Sequence, residues 1–317
     1  MHLTLQQLKL FEAVSRNSSF TRAAAELFLT QPAVSIQVKR LEEQVGMALF
    51  EQVGKKIFPT AAGQALYEAS CDILSRIAQL RDTIDDLQGK VKGSVRLSLV
   101  STTEYFMPRL LGAFLQKFPD VEPKLHFTNR ATVVQRLHDN LEDFVVMGQA
   151  PDDAALHAYP FLENIVVVVA HPDHPLAKMK KVTLKKLAEQ RFIVREQGSG
   201  TRMAVDRRLA DRGITIDPYM ELGSSEAIKQ GVMAGLGIAT LSLHSIMLER
   251  RAGLIKVLNV ENFPIKRRWY AVHLKGKHLS LVAQTFLDFI LHNSEKVLQN
   301  DATLATMEEI QKIENGA

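Results

Sequence analysis

The chain is short of the residues that cross-link or anchor. It has one cysteine, Cys71, in 317 residues. A single thiol forms neither an internal disulfide nor a cysteine-based metal site, and a reducing cytoplasm is the compartment this predicts. Long apolar runs are missing. The longest, Ile165–Ala170, falls far below the roughly 18–20 residues that cross a bilayer. Residues 1–15 alternate apolar side chains with Gln, Lys and Glu, so the continuous apolar stretch of a secretory signal is absent too. No membrane partner is expected. Nor does charge of one sign dominate. The net charge is +4, and the first 60 residues hold seven Lys and Arg against five Asp and Glu. That is no basic arm gripping nucleic acid by charge alone. What remains is ordinary globular composition, 46% hydrophobic and 23% charged. It excludes wholesale disorder and fibrous repeats, and the length suits two domains or more.

Residues 5–45 predict three helices. Leu5, Leu8, Phe11, Ala13 and Val14 recur at helical spacing. Ser18 and Ser19 break that helix and can cap the next, and Thr30 followed by Pro32 suits the start of a third. Val34, Val38 and Leu41 share one apolar face, while Ser35, Gln37, Lys39 and Arg40 lie away from it. Small residues Ala23, Ala24 and Ala25 fit a close helix crossing. This is helix-turn-helix chemistry: Gln31, Ser35 and Gln37 can read base edges, and Lys39 and Arg40 can reach phosphates. An alanine-rich three-helix bundle with a solvated outer face fits the same spacing. Gly54-Lys55 suits a turn between two short strands, a wing with Lys55 and Lys56 at its tip. Leu66, Ser70, Ile73, Ile77, Leu80, Ile84 and Leu87 then alternate spacings of four and three. That heptad seam over residues 61–90 predicts a dimerisation helix carrying Leu66, Ile73, Ile77, Leu80, Ile84 and Leu87.

The stretch Phe20-Thr21-Arg22-Ala23-Ala24, followed by Thr30-Gln31-Pro32-Ala33-Val34-Ser35, resembles the DNA-binding segment of LysR-type transcriptional regulators. Leu41-Glu42, Gly46, Leu49-Phe50 and Thr60-Ala61-Ala62-Gly63 continue the pattern. The resemblance implies a DNA-binding set of Arg22, Thr30, Gln31, Pro32, Ala33, Ser35, Gln37, Lys39, Arg40, Lys55 and Lys56. Gln52 stands where the family usually has Arg, and Ile36 where many members have a polar or basic residue.

Residues 91–295 alternate strand and helix, which implies mixed α/β structure with mainly parallel sheets. Strands are expected at Val95–Val100, Pro123–Thr128, Asp143–Met147, Ile165–Ala170, Phe192–Val194, Tyr219–Leu222, Ile238–Leu241 and Trp269–His273. Helices are expected at Glu104–Phe118, Ala131–Asn140, Arg202–Asp211, Glu226–Ala234 and Leu279–His292. The resemblance implies a two-lobed, periplasmic-binding-protein-like regulatory domain, with the chain crossing between lobes near residues 162 and 265. The expected organisation is a winged helix-turn-helix over 1–60, a linker helix over 61–90, the regulatory domain over 91–295 and a tail over 296–317. Lobe I would take about 91–162 and 266–295, and lobe II about 163–265.

Ligands in such sheets bind beyond the carboxyl ends of strands, near helix N-termini. Ser101-Thr102-Thr103, Gly198-Ser199-Gly200-Thr201-Arg202 and Leu222-Gly223-Ser224-Ser225 each set hydroxyls and backbone N–H groups at such a position, chemistry that suits an anion. Plain N-capping accounts for any one of them; three facing one cleft point to a ligand. Thr128-Asn129-Arg130, Val146–Pro151 and Arg195–Arg202 also resemble the Calvin-cycle branch of the family, regulators of RuBisCO operons. That resemblance implies an effector that is a phosphorylated metabolite or NADPH. The candidate effector residues are therefore Ser101, Thr102, Thr103, Asn129, Arg130, Gln149, Gly200, Thr201, Arg202 and Ser224. Gln149 stands where members often have Arg.

No enzyme signature accompanies these. Gly198–Thr201 lacks the Gly-Lys-Ser/Thr ending of a phosphate loop, Ser101 has no G-x-S-x-G elbow, and no pair of carboxylates stands out. His171-Pro172-Asp173-His174 reads as a structural turn with no third ligand, so neither metal nor catalytic residues are expected. The reading is a transcriptional activator without cofactor, binding an imperfect inverted repeat in double-stranded DNA. It would self-associate as a dimer or dimer of dimers and work with RNA polymerase. A regulator of another metabolic operon, a cytoplasmic solute-binding protein and an enzyme on the same scaffold are the alternatives.

Overall fold

The computed structural model describes residues 3–53, 56–86 and 91–299. The chain forms two compact units, Met1–Gln88 and Gly89–Ala317.

In the first unit, α1 (Leu5–Asn17), α2 (Phe20–Glu26) and α3 (Gln31–Val45) precede a two-stranded antiparallel wing of β1 (Phe50–Val53) and β2 (Lys56–Pro59) and the long α4 (Ala61–Asp86). The starts are chemically marked. Thr4 and Gln7 form a reciprocal capping box on α1, Ser19 accepts the Arg22 N–H at the start of α2, and Pro32 sits in the first turn of α3. Ala23 and Ala24 are buried at the α2–α3 crossing as expected, whereas Ala25 faces out. Leu10 enters the core and Leu5 is exposed.

The residues that carry the LysR-type resemblance have mechanical roles here. The Glu42 carboxylate accepts the N–H groups of Leu49 (2.8 Å) and Phe50 (3.3 Å), pinning the start of the wing to α3. Thr60 Oγ1 donates to the Ala48 carbonyl (2.7 Å) and accepts the Gly63 N–H (3.1 Å). A Cβ on Gly63 would lie 2.0 Å from the Leu49 carbonyl oxygen, a backbone atom that cannot swing aside. Gly63→Ala is therefore expected to destabilise the winged unit by about 3 kcal/mol, the upper end of overpacking costs. Urea unfolding of the full chain followed by circular dichroism would check it, an unchanged midpoint counting against the clash.

The seam on α4 divides. Leu66 packs against Phe11, Leu41 and Leu49 of its own unit, which corrects its expected place in a dimer seam. Ser70 is buried and donates to the Leu66 carbonyl. Further along, the apolar side chains of Ile73 and Leu80 are 41% and 59% exposed. Leu87 and the side chain of Ile84 lie outside the described residues, as do Lys55 and the side chain of Lys56.

The second unit is built on β3 (Gly93–Val100), α5 (Met107–Leu115), β4 (Val121–Thr128), α6 (Arg130–His138), β5 (Phe144–Met147) and the long β6 (Leu156–Ala170). It continues through α7 (Leu184–Ala188), β7 (Phe192–Arg195), α8 (Gly200–Ala210), β8 (Pro218–Leu222), α9 (Ser225–Met233), β9 (Ile238–Ser242), α10 (Met247–Arg251), β10 (Lys256–Val257), β11 (Ile265–Leu274) and α11 (Leu281–Gln299). The strands run in one hydrogen-bonded path, β4-β3-β5-β11-β6-β9-β7-β8. β3 pairs in parallel with β4 and β5, and β7 with β8 and β9. β6 and β11, paired antiparallel, carry the chain from one lobe to the other.

The cores separate at those crossings. One runs from Val95 to Leu162 and again from Trp269 to Leu298. Two others, on opposite faces of the second lobe's strands, draw only on residues from Ile165 to Ile265.

Three expectations need correcting. The single helix over Glu104–Phe118 is a 3-10 turn, Ser101–Tyr105, followed by α5, because Pro108 fits the first turn of a new helix and not the interior of an old one. β6 begins at Leu156, not Ile165; Glu163 and Asn164 interrupt the apolar pattern just before Ile165, and His157 and Pro160 break it again further back. α11 continues to Gln299, with Leu298 buried, so the tail cannot start at 296. Residues 300–317 lie outside the described residues.

Candidate functional site

Two surfaces carry the candidate chemistry, one in each unit. On the first, α3 presents Gln31, Pro32, Lys39 and Arg40 to solvent, with Ala33, Ser35 and Gln37 half-buried beside them. Thr30 is the N-cap of α3, yet its side chain makes no capping hydrogen bond, which leaves its hydroxyl at the positive end of the helix. Arg22 is exposed and donates to the Asn17 carbonyl. Phe28, in the turn before α3, holds a left-handed φ of 55° and is 96% exposed. The sequence reading passed over it, because an isolated Phe between two helices looks like core.

On the second unit, the first 3-10 turn, the start of α6, the start of α8 and the crossing strand β11 converge on one cavity of about 20 Å³. Such a volume holds a single water and little more. Of the candidate effector residues, Ser101, Thr102, Asn129, Arg130, Gly200 and Thr201 line it. Four do not. Thr103 is buried and donates to the Val100 carbonyl, closing its own turn. Gln149 lies next to the cavity, its side-chain oxygen accepting from Arg267 (3.4 Å). Arg202 is held by Asp206 (2.7 Å) and donates to the Arg195 carbonyl (3.2 Å). Ser224 caps α9 by accepting the Ala227 N–H, a structural role.

The sequence reading missed the two arginines that dominate the charge. Arg195, at the end of β7 and 5% exposed, is the hub. It donates twice to the Glu196 carboxylate (2.7 and 2.9 Å), once to Ser225 Oγ of lobe II (2.9 Å) and once to Ser101 Oγ of lobe I (3.2 Å). Arg267, from β11, donates to the Gly200 carbonyl (2.9 Å). Burial, and then the neighbouring charge of Arg130, lower its pKa to about 10. Burial lowers that of Arg130 as well. Gly200 sits between these two guanidinium groups: a Cβ there would come within 3.4 Å of Arg130 Cδ and 3.9 Å of Arg267 Nη2. The cavity is thus walled by three arginines, of which only Arg195 has a carboxylate partner among the described residues, and by Ser and Thr hydroxyls at the start of α8. Two cations held close in a partly dry site favour an anion between them. Its floor is Trp269, 1% exposed, whose indole N–H has no hydrogen-bond partner among the described residues.

A second bridge between the lobes lies beside the cavity. Lys229 of α9, 4% exposed, pairs with Glu226 (2.8 Å) and Glu249 (2.7 Å), and its ammonium lies 4.8 Å from the Tyr105 ring of lobe I. His171 and His174 close their own turn, each Nδ1 accepting a backbone N–H two residues on. Among the described residues no group of three His, Cys, Asp or Glu is placed to hold a metal, and no helix is long and apolar enough to cross a membrane.

Comparison with known proteins places this geometry in a family. Residues 5–64 match the bacterial regulatory helix-turn-helix protein, lysR family, and residues 88–295 match the LysR substrate binding domain. The HTH-type transcriptional activator CmpR of Synechocystis is 47% identical over 294 residues, covering 93% of this chain and 97% of the relative. A RuBisCO operon transcriptional regulator of Allochromatium vinosum is 43% identical over 297 residues, 94% of this chain and 98% of the relative. Among solved structures, the regulatory domain of Synechocystis CcmR in complex with 2-PG is 41% identical, with a TM-score of 0.62, covering 64% of this chain and 98% of that one. These relatives are regulators and not enzymes. A winged helix-turn-helix followed by a two-lobed regulatory domain, matched by both profiles and by relatives along nearly the whole length, makes this chain a member of the LysR family of transcriptional regulators, on its CbbR-like, Calvin-cycle branch.

Proposed function

We propose that the chain activates carbon-fixation genes of the RuBisCO type from the cytoplasm, and that a small phosphorylated anion in the inter-lobe cleft gates it. The observation that carries this reading is the convergence of Arg130, Arg195 and Arg267 on one cavity between the lobes. A phosphate monoester or a phosphorylated carboxylate such as the 2-PG held by the CcmR domain has the charge to bridge Arg130 and Arg267 and the oxygens to accept from Thr201 and the N–H groups at the start of α8. At about 20 Å³ the cleft is closed around less than such a ligand. The lobes must part to admit it, and binding then shifts the balance between two lobe arrangements by its differential affinity for them.

The DNA-binding half of the proposal rests on α3. Gln31, Ser35 and Gln37 would read base edges in the major groove, with Arg22, Thr30, Lys39, Arg40, Lys55 and Lys56 on phosphates. The exposed Ile73 and Leu80 of α4 suit pairing with a second chain, which calls for an imperfect inverted repeat. A dimer of dimers and a contact with RNA polymerase complete the reading.

Fluorescence anisotropy against DNA from a RuBisCO promoter tests it, at two salt concentrations, with and without 2-phosphoglycolate, ribulose bisphosphate, phosphoenolpyruvate and NADPH. Specific binding shifted by a phosphorylated metabolite supports the proposal. Specific binding that none of them shifts removes the ligand class and keeps the regulator. Gln31→Ala and Ser35→Ala are each expected to reduce discrimination between operator and random DNA by about 1–3 kcal/mol. Lys39→Ala should weaken both alike and lower the salt slope by about one. A Ser35→Ala protein with unaltered sequence preference would remove α3 from base reading.

A further inference from the structure

Directly beside the closed cleft lies a larger, open cavity of about 430 Å³, between α8 of lobe II and β11. It shares Gly148 and Arg267 with the cleft. Four of its lining residues are arginines: Arg207 and Arg208 from α8, Arg267 and Arg268 from β11. Asp211 is its single acidic lining residue, and Tyr270 gives it an aromatic wall. The guanidinium groups of Arg207, Arg208 and Arg268 make no hydrogen bond or ion pair among the described residues. The positive pair on α8 is favourable at that helix's C-terminal end. That accounts for Arg207 and Arg208, but not for two further arginines brought opposite them by a strand from the other side of the hinge.

We propose that this cavity is a second anion site, distinct from the cleft, that takes a phosphate-bearing metabolite with at least two negative charges. Its volume lies within the range of small-molecule sites. Unpartnered guanidinium groups keep all their planar N–H pairs for phosphate oxygens. Asp211 would turn the ligand's phosphate toward the β11 side by repulsion. The site does not depend on which ligand the cleft takes, but it is coupled to it. Arg267 faces both cavities, so an anion in the open one draws on the same guanidinium that the cleft anion needs. Each ligand should therefore weaken the other, and by linkage the two factors must be equal.

Isothermal titration of the full-length protein with inorganic pyrophosphate, at fixed ionic strength, tests this. Two binding events per chain are expected. The triple variant Arg207→Ala, Arg208→Ala, Arg268→Ala, whose melting temperature should match the parent's because these side chains hold nothing in place, should lose one event and keep the other. Arg130→Ala should do the reverse. The triple variant with lysine at the same three positions keeps the charge but not the planar fork, and should bind at that event at least ten-fold more weakly. A parent with no binding event, or with a single event that the alanine variant keeps, overturns the proposal, as does an alanine variant indistinguishable from the parent; a single event that the alanine variant loses keeps this site and removes pyrophosphate from the cleft. Full affinity in the lysine variant overturns it too, reducing the cavity to diffuse positive charge.

Discussion

Arg195→Ala is expected to abolish the response to a cleft ligand, with a loss of at least about 100-fold in apparent Kd. Two effects add. The variant removes one of the three cations around the cleft anion, and with it the guanidinium that holds Ser101 and Ser225 toward the site. It also strips Glu196 of its bidentate partner and leaves a carboxylate at the rim of an anion site. Breaking one side of a buried ion pair costs about 3–5 kcal/mol, and about 1.4 kcal/mol corresponds to each ten-fold in affinity. The double variant Arg195→Ala, Glu196→Gln separates the two. It should recover about ten-fold, because the repulsive charge is gone while the cation is still missing. Titration of 2-phosphoglycolate into full-length protein, read by thermal shift, decides. If the double variant binds no better than the single one, Glu196 plays no part in the loss. If Arg195→Ala binds like the parent, the cleft is not the ligand site.

Trp269→Ala should be the most destabilising single change in the regulatory unit, by about 3–5 kcal/mol, the range for deleting a buried aromatic. Trp269 is 1% exposed, and its ring centroid lies 5.3 Å from that of Phe106. Phe106 in turn sits 6.4 Å from Phe161 of the outgoing crossing strand and 5.7 Å from His244 of lobe II. Removing the indole opens a hole where the two lobes meet the cleft floor. Trp269→Phe keeps the aromatic contact and should cost well under half as much. Urea unfolding read by circular dichroism compares the three proteins. A cost for Trp269→Ala below about 1.7 kcal/mol, a third of the range's upper end, would mean that the crossing region closes up around the loss.

What was legible in the sequence was local. Thr30, Gln31, Pro32 and Ser35 lie within one helix start, and capping and periodicity operate over the same few residues. The order of strands and helices in the regulatory unit followed from alternation for the same reason. The cleft was half legible. Ser101, Asn129 and Arg130 stand just after a strand, and Thr201 in the first turn of the helix that follows one, where a short-range rule finds them. Arg267 does not; it faces Gly200 only because β11 returns across the hinge from far along the chain. Arg195 closes the apolar run Phe192-Ile193-Val194, and a buried arginine ending such a run was the available signal. Arg202 was the more obvious basic residue, yet Asp206, one helical turn on, already holds it. Leu66 kept the heptad spacing but packs inward, since spacing alone does not say which helix meets the apolar stripe.

The two crossing strands have a further consequence, in the order in which the chain becomes able to fold. The core of lobe II draws on one unbroken stretch between Ile165 and Ile265. The core of lobe I needs residues on both sides of that stretch, including Trp269, Phe286 and Ile290. As the chain leaves the ribosome, lobe II can close as soon as β11 begins, while β3, β4 and β5 still lack the strand and the final helix that cover them. Lobe I, which starts first, is completed last. Its exposed apolar strands are the part of the nascent regulatory unit that most needs protection from other chains.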